Sequence, residues 1–417
     1  MAIGSKLTKI LLNIKTFSSF KNHGYRFYFC GILGHMACMN MQQIPNGLLI
    51  ERMTNSPAIM GIMSLAGAVP MVILSLFGGV IADRVEKKYL VAVGQAGFAL
   101  TSLATAIALS TGYLSVEHAG SWWILAVSSV IQGAIIGVAM PARQALLSDV
   151  IQSGDLMNAI SLNFLGTSIL QLIAPIAAGF LVNVLNYDSV YYIMTFLYFV
   201  SMVMFALVPG TGKKVVAKSN PLVDIKDGLI YVWRTKIIFI VLISSFLVVT
   251  LSSPYSMLMP FFADEILEVG ANGMGILLSM VGLGSILASI VLATLPNRKR
   301  GMLMLVSGIV LGITLIGFAV SRSWAFSLIL MALTGVSSTI AMTLCNTLIQ
   351  YHSDDSHRGR VMSLFIIQWG ISSFANFGSG LIAQEYGVQW AVALFAAPLV
   401  ILPIAALFAV AQLRKID

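Results

Sequence analysis

The sequence predicts an all-α, polytopic membrane protein, with twelve transmembrane helices in two pseudo-symmetric six-helix bundles. Three observations carry that prediction. Of 417 residues, 58% are hydrophobic and only 10% are charged, whereas a soluble domain carries about 25% charged residues. The apolar residues fall into twelve long segments, and a helix needs about 20 such residues to cross the hydrocarbon core. The two halves of the chain also repeat one another. This composition excludes a soluble globular domain, which could not hide so much apolar surface. It equally excludes a disordered chain, which needs few apolar residues and many charges. A transmembrane barrel is excluded because its strands are only about ten residues long and alternate in polarity.

Dividing the chain at its charged residues places the spans at 26–50, 58–81, 89–112, 121–141, 158–185, 189–208, 237–262, 272–295, 302–321, 324–346, 361–384 and 388–411. Twelve crossings put both termini on one side. Of the 24 Lys and Arg residues, all but Arg52 and Arg322 then fall on that same side. Basic residues collect in cytoplasmic loops, so both ends are expected in the cytoplasm of a multi-pass cell (plasma or inner) membrane protein. The expected organisation is a tail over 1–24, a bundle over 25–208, a linker over 209–236, a second bundle over 237–411 and a tail over 412–417. In the linker, Leu222, Ile225, Leu229 and Trp233 recur at helical spacing opposite Asp224, Lys226 and Asp227, which predicts an amphipathic helix on the membrane surface. Leu7, Ile10, Leu11, Ile14 and Phe17 suggest a second one in the tail.

The repeat is specific in register. At an offset of 214 residues, Glu51 falls on Glu265, Met60-Gly61-Ile62 on Met274-Gly275-Ile276 and Arg84 on Arg298. At 202, Ala139-Met140 falls on Ala341-Met342 and Ser161-Leu162 on Ser363-Leu364. Internal duplication in a helical membrane protein suggests two bundles about a shared axis with a site between them. Cys30, Cys38 and Cys345 are scattered, giving neither a disulfide framework nor zinc spacing. The loops carry no phosphate-binding glycine motif, no nucleophile–base pair and no metal cluster. The sequence therefore predicts no enzyme, no cofactor, no ATP and no nucleic acid as partner. The partners expected are the bilayer and a small-molecule substrate, with protons as a candidate coupling ion.

Between spans 2 and 3 stands Gly79-Val80-Ile81-Ala82-Asp83-Arg84-Val85-Glu86-Lys87-Lys88. This strongly resembles the loop signature of the major facilitator superfamily, with Glu86 in place of the usual second glycine. Asn297-Arg298-Lys299-Arg300 is its basic but acid-free second copy. Pro141-Ala142-Arg143-Gln144-Ala145, Asn158-Ala159-Ile160-Ser161 and Arg358-Gly359-Arg360 resemble the drug-efflux and enterobactin-exporter-like branch of that superfamily. The resemblance implies alternating access, with export as the leading expectation and uptake, facilitated movement or lipid handling as alternatives. It also implies a cytoplasmic latch formed by Gly79, Asp83, Arg84, Lys87, Lys88, Arg143, Arg298, Arg358 and Arg360. Two departures put conventional antiport in doubt. Span 5 keeps only part of the antiporter signature, in Ala174-Pro175-Ile176-Ala177-Ala178-Gly179. In span 4, Gln132-Gly133 match a family motif, but Ser129 stands where its buried arginine is expected.

No Asp, Glu, Lys or Arg falls deep within a predicted span, which argues against a fixed counter-ion for a strongly charged substrate. The polar side chains form stripes instead. His35, Met39, Gln42 and Asn46 share one face of span 1 at about 100° per residue. Asn163, Thr167 and Gln171 follow one another in span 5, Ser253, Tyr255 and Ser256 lie in span 7, and Phe365, Trp369 and Asn376 in span 11. With Gln132 they are the candidate cavity lining, weighed against a purely structural role as interhelical hydrogen-bond partners. His35 invites two readings, a histidine bonded to its neighbours or a proton carrier. His35, Met36, Cys38, Met39 and Met41 also invite a copper reading, weighed against methionine as a common gap-filler and against Met36 and Cys38 leaving the His35 face. Glu51 and Glu265, at equivalent far ends of spans 1 and 7, are expected at a solvated rim, with an outer gate as the sharper alternative.

Overall fold

The computed structural model describes residues 19–151, 155–210, 221–294, 299–354 and 357–409. Among these every long element is a helix. α1 is His23–Thr54, α2 Pro57–Arg84, α3 Lys87–Ser110, α4 Trp123–Val150 and α5 Leu156–Ala206. The linker helix α6 is Pro221–Arg234. The second half holds α7 Lys236–Met257, α8 Gly270–Thr294, α9 Arg300–Val320, α10 Trp324–His352, α11 Arg358–Tyr386 and α12 Val388–Ala409.

Local chemistry sets the breaks. Asn22 caps α1 by accepting from Gly24 and Tyr25, and Asn55 ends it at φ 43°. Ser56 then caps α2, with Pro57 at its first turn, where a missing N–H costs nothing. Asn186, at φ 70° and ψ 172°, breaks α5 into two limbs, in the gap predicted between spans 5 and 6. Gly387 at φ 91° separates α11 from α12.

Among the described residues, ten helices are long and apolar enough to cross a membrane. At 51 residues, α5 is long enough to cross twice. α1 falls outside the ten because of its polar stripe, although at 32 residues it is long enough to span. Its apolar residues are packed inside the protein, whereas Val93, Leu100, Phe164, Phe180, Phe196 and Leu394 stand exposed on their helices, as lipid-facing residues do.

Two predicted boundaries need correction. α4 continues to Val150, nine residues past the predicted end at 141, and α10 continues to His352. Arg143 truncated the first and the polar run from Asn346 the second, because a helix does not stop where it leaves the hydrocarbon. The tail helix proposed within residues 1–18 lies outside the described residues. The linker carries the helix Pro221–Arg234, on which Leu229 and Trp233 are exposed. Its other face docks on the second bundle: Val232 is buried, Tyr231 stacks on His357 at 4.2 Å and Asp227 lies 3.7 Å from Arg360. The side chains of Leu222 and Ile225 lie outside the described residues.

The duplication is visible in the packing. A Cβ on Gly133 of α4 would stand 1.9 Å from the Gly67 carbonyl of α2, and one on Gly335 of α10 would stand 2.0 Å from the Val281 carbonyl of α8. Gly133 and Gly335 are repeat equivalents at the 202 offset. In each half, a missing side chain lets two backbones touch, the usual route to tight packing where water exclusion cannot drive it.

The helix ends gather on two faces. Ser19 donates to Asn158 at 2.7 Å and Asn22 to the Val150 carbonyl at 2.7 Å, so the starts of α1 and α5 and the end of α4 share one face. That face carries the basic loops and is called the basic face; the loop at Asn55 and the break at Asn186 lie on the opposite, far face.

Candidate functional site

The two halves meet most closely toward the far face. Gly61 of α2 packs against α11, where a Cβ would lie 2.8 Å from Phe377 Cα. Its repeat equivalent Gly275 of α8 packs against α5, where a Cβ would lie 2.5 Å from the Pro175 carbonyl. The Met-Gly-Ile repeat thus marks the seam between the halves. Around it, Asn376 donates to Ser64 at 2.9 Å and Ser56 to Gln384 at 2.7 Å, both across the seam.

At the far end of this seam lies a charged cluster. Arg52 Nε donates to Asp264 Oδ2 at 2.7 Å, and its Nη1 donates to the Tyr187 hydroxyl at 2.9 Å. One arginine therefore ties the end of α1 to the π-helical turn Phe262–Ile266 of the second half and to the break in α5. Glu51 is only 6% exposed, and its Oε2, like Asp264 Oδ1, is buried without a hydrogen-bond partner among the described residues. Glu51 lies just past the predicted span. There, burial first, then the Asp264 and Glu265 carboxylates against the opposing pull of Arg52, push its pKa up to about 7. Glu265 is raised in the same direction, by burial and by Asp264. The solvated rim expected for Glu51 is corrected: the end of α1 is covered by the turn of the other half.

Within the first bundle, the α1 stripe is held by an interhelical network. His35 is buried, its Nδ1 3.2 Å from Gln95 Oε1 of α3, with its ring edge-on to Phe98 at 5.3 Å. Gln42 donates to Gln132 of α4 at 3.0 Å, which donates to Thr101 of α3 at 3.3 Å. Asn46 accepts from the Tyr191 hydroxyl of α5. Met39 and His35 line a cavity of about 120 Å³ between α1, α3 and α4, together with Gln95, Phe98, Met140 and Arg143. Arg143 is the unexpected member. The sequence set it in a latch beyond span 4, but the extended α4 carries it to this cavity.

The other candidates are more dispersed. Asn163 accepts from Tyr25 at 3.4 Å, Thr167 bonds its own helix at Phe164, and Gln171 is exposed beside the α5–α8 contact. Ser253 donates to the Ser372 carbonyl at 3.4 Å, Tyr255 packs among the apolar clusters of the second half, and Ser256 is half-buried. Phe365 is buried in the core near the basic face, whereas Trp369 is exposed. Of the latch residues, Lys87 pairs with Asp149 at 2.5 Å inside the first bundle, and Arg360 faces Asp227 of the linker helix. Lys88 lies over the Tyr89 ring at 4.8 Å, and Arg358 begins α11. Gly79 lies within α2; the side chains of Asp83 and Arg84 are not described, and Arg298 lies outside the described residues.

Sequence reasoning missed three groups. Gln95 of α3 and the buried Ser245–Gln368 pair, 2.7 Å apart between α7 and α11, are polar residues set in mostly apolar stretches. Tyr187 escaped notice because it sits in a presumed loop. Their one signal is a polar group isolated among apolar neighbours, which normally implies a partner on another helix.

The Major Facilitator Superfamily model matches residues 28–375 and 241–415. The chain belongs to this superfamily. Among curated relatives, the staphyloferrin A transporter of Staphylococcus aureus is 23% identical over 335 residues, covering 79% of this chain and 82% of that protein. The enterobactin exporter of Escherichia coli is 24% identical over 367 residues, covering 86% and 84%. Among solved structures, the nucleoside transporter NupG superposes with a TM-score of 0.70 at 14% identity, covering 93% of this chain and 99% of that one. The inward open xylose transporter XylE from E. coli gives 0.71 at 11% identity, covering 94% and 99%. At these identities the structural likeness establishes the fold. The chain is a multi-pass membrane protein of the transporter fold, and its relatives are transporters.

Proposed function

We propose that this protein exports a small amphipathic molecule from the cytoplasm by alternating access, coupled to protons. The observation that carries the reading is the closed seam: the two halves press together toward the far face through repeat-equivalent glycines, while the cavity lies toward the basic face. Rocking of one bundle against the other about such a seam would expose a midplane site to each side in turn. The positive-inside rule makes the basic face cytoplasmic. The named activity of the enterobactin exporter supports outward movement. In this reading Glu51 is the proton-responsive group. Its pKa near 7 belongs to the closed seam, where its charge is desolvated and faces other carboxylates. His35 and Met39 of the α1 stripe serve the cavity, and the basic-face arginines close the other gate.

The test is substrate-induced proton movement in energised everted vesicles, across a panel of amphipathic drugs and siderophores. A compound that dissipates the pH gradient only when the protein is present supports proton-coupled export. A panel that moves no protons while labelled compounds still cross rejects the coupling. Absence of any flux rejects transport in favour of lipid handling or sensing.

A further inference from the structure

We propose that the cavity between α1, α3 and α4 is an anion subsite, in which Arg143 receives the carboxylate of a small aromatic or amphipathic acid and the apolar wall receives its ring. This deepens the export reading and rests on it, replacing an uncharged substrate with an acidic one. Four observations converge. First, Arg143 lines the cavity, and no carboxylate among the described residues does. The nearest acid along its helix, Asp149, is already engaged by Lys87 at 2.5 Å. Arg143 is half-buried, a guanidinium against an apolar wall gains from a counter-charge, and a planar carboxylate matches its forked donors. Second, the rest of the wall is mostly apolar, with Met36, Met39, Phe98, Ile136 and Met140, while His35 and Gln95 are tied to each other. Such a wall accommodates a ring or chain and leaves Arg143 to choose the charge. Third, the volume of about 120 Å³ is slightly below that of a dry cavity of about 150 Å³ that takes up benzene, so it limits the apolar part of the ligand to one ring at most. Fourth, Arg143 lies seven residues before the end of α4, about 10 Å along the helix from the basic face. It is held there by the Tyr28 hydroxyl, which donates to its backbone carbonyl at 3.3 Å. An acid arriving from the cytoplasm meets the charge first, and a larger substrate could seat one acidic arm here.

The test is equilibrium binding to the full chain in nanodiscs without any gradient, comparing benzoate with benzamide, its neutral counterpart of equal size. Benzoate is expected to bind about 10- to 100-fold more tightly, the discrimination a charge-assisted pair provides. Arg143→Gln should bring benzoate down to the benzamide level, and Arg143→Lys should keep most of the preference, showing that charge rather than folding is at stake. Equal affinities, a preference that survives Arg143→Gln, or no benzoate binding tighter than about 10 mM would each overturn the subsite. The export reading fails separately. A benzoate preference with no substrate flux leaves the subsite and removes export, whereas flux of neutral amphipaths indifferent to Arg143→Gln, without that preference, leaves export and removes the subsite.

Discussion

Replacing Gly275 by alanine should prise the far face open. The added methyl carbon would sit 2.5 Å from the Pro175 carbonyl across the seam, about 0.9 Å inside the ordinary contact range. The obstacle is backbone on both sides, so neither partner can swing a side chain away. Overpacking of this kind costs about 1–3 kcal/mol, and it falls only on the state in which the seam is shut. That differential shifts the closed-to-open ratio by about 5- to 150-fold. Gly308→Ala is the control: its methyl would lie 3.5 Å from a Pro403 ring carbon, an ordinary contact within one bundle. Double electron–electron resonance would report the shift, with nitroxides at the exposed far-face residues Tyr113 and Tyr386 and Cys30, Cys38 and Cys345 replaced. Gly275→Ala should move population to longer distances and Gly308→Ala should not. Identical distributions in the two variants would refute the view that this glycine seam is the closed gate.

Removing Arg52 by alanine should also favour the open far face, by about 1 kcal/mol or less given the part-exposed Arg52–Asp264 pair, readable in the same distance distributions. Glu51 should make the closed state pH-sensitive. Closed, it keeps its proton up to about pH 7, while in an opened, hydrated gate it falls back toward the ordinary carboxylate value of about 4.3. Closure should therefore be fully supported below that ordinary value and weaken as pH rises toward 7; Glu51→Gln should flatten this dependence, and a pH response unchanged in that variant would exclude the residue. Gln132→Leu should lower thermal stability by about 0.6–1.7 kcal/mol by leaving the buried Gln42 amide unpaired. Adding Gln42→Leu should cost less than the sum of the two single changes, as a double-mutant cycle would show.

Fold and site were unequally legible in the sequence. Hydropathy and the twofold repeat specified the helices because crossing a bilayer imposes length and polarity on each segment independently. The Met-Gly-Ile repeat even marked the seam, although nothing in one copy says what it will touch. Arg143 illustrates the limit. Its charge suggested a loop, because a charge ends an apolar run, but α4 persists for another seven residues and the side chain reaches back to a cavity on three helices. Glu51 misled in the complementary way: the end of a span looks solvated until another half of the molecule covers it. The partners of His35 and Gln42 were equally hidden, since an interhelical bond depends on rotation about two helix axes and the sequence of one helix fixes neither.

Direction of transport is the central claim, and vesicle orientation tests it most directly. A labelled substrate identified by the proton assay would be followed into everted and right-side-out vesicles prepared from the same cells, each with an imposed proton gradient. The account predicts protein-dependent accumulation in the everted vesicles, whose outer surface is the basic face. Accumulation in the right-side-out vesicles alone would contradict export and make the protein an uptake system.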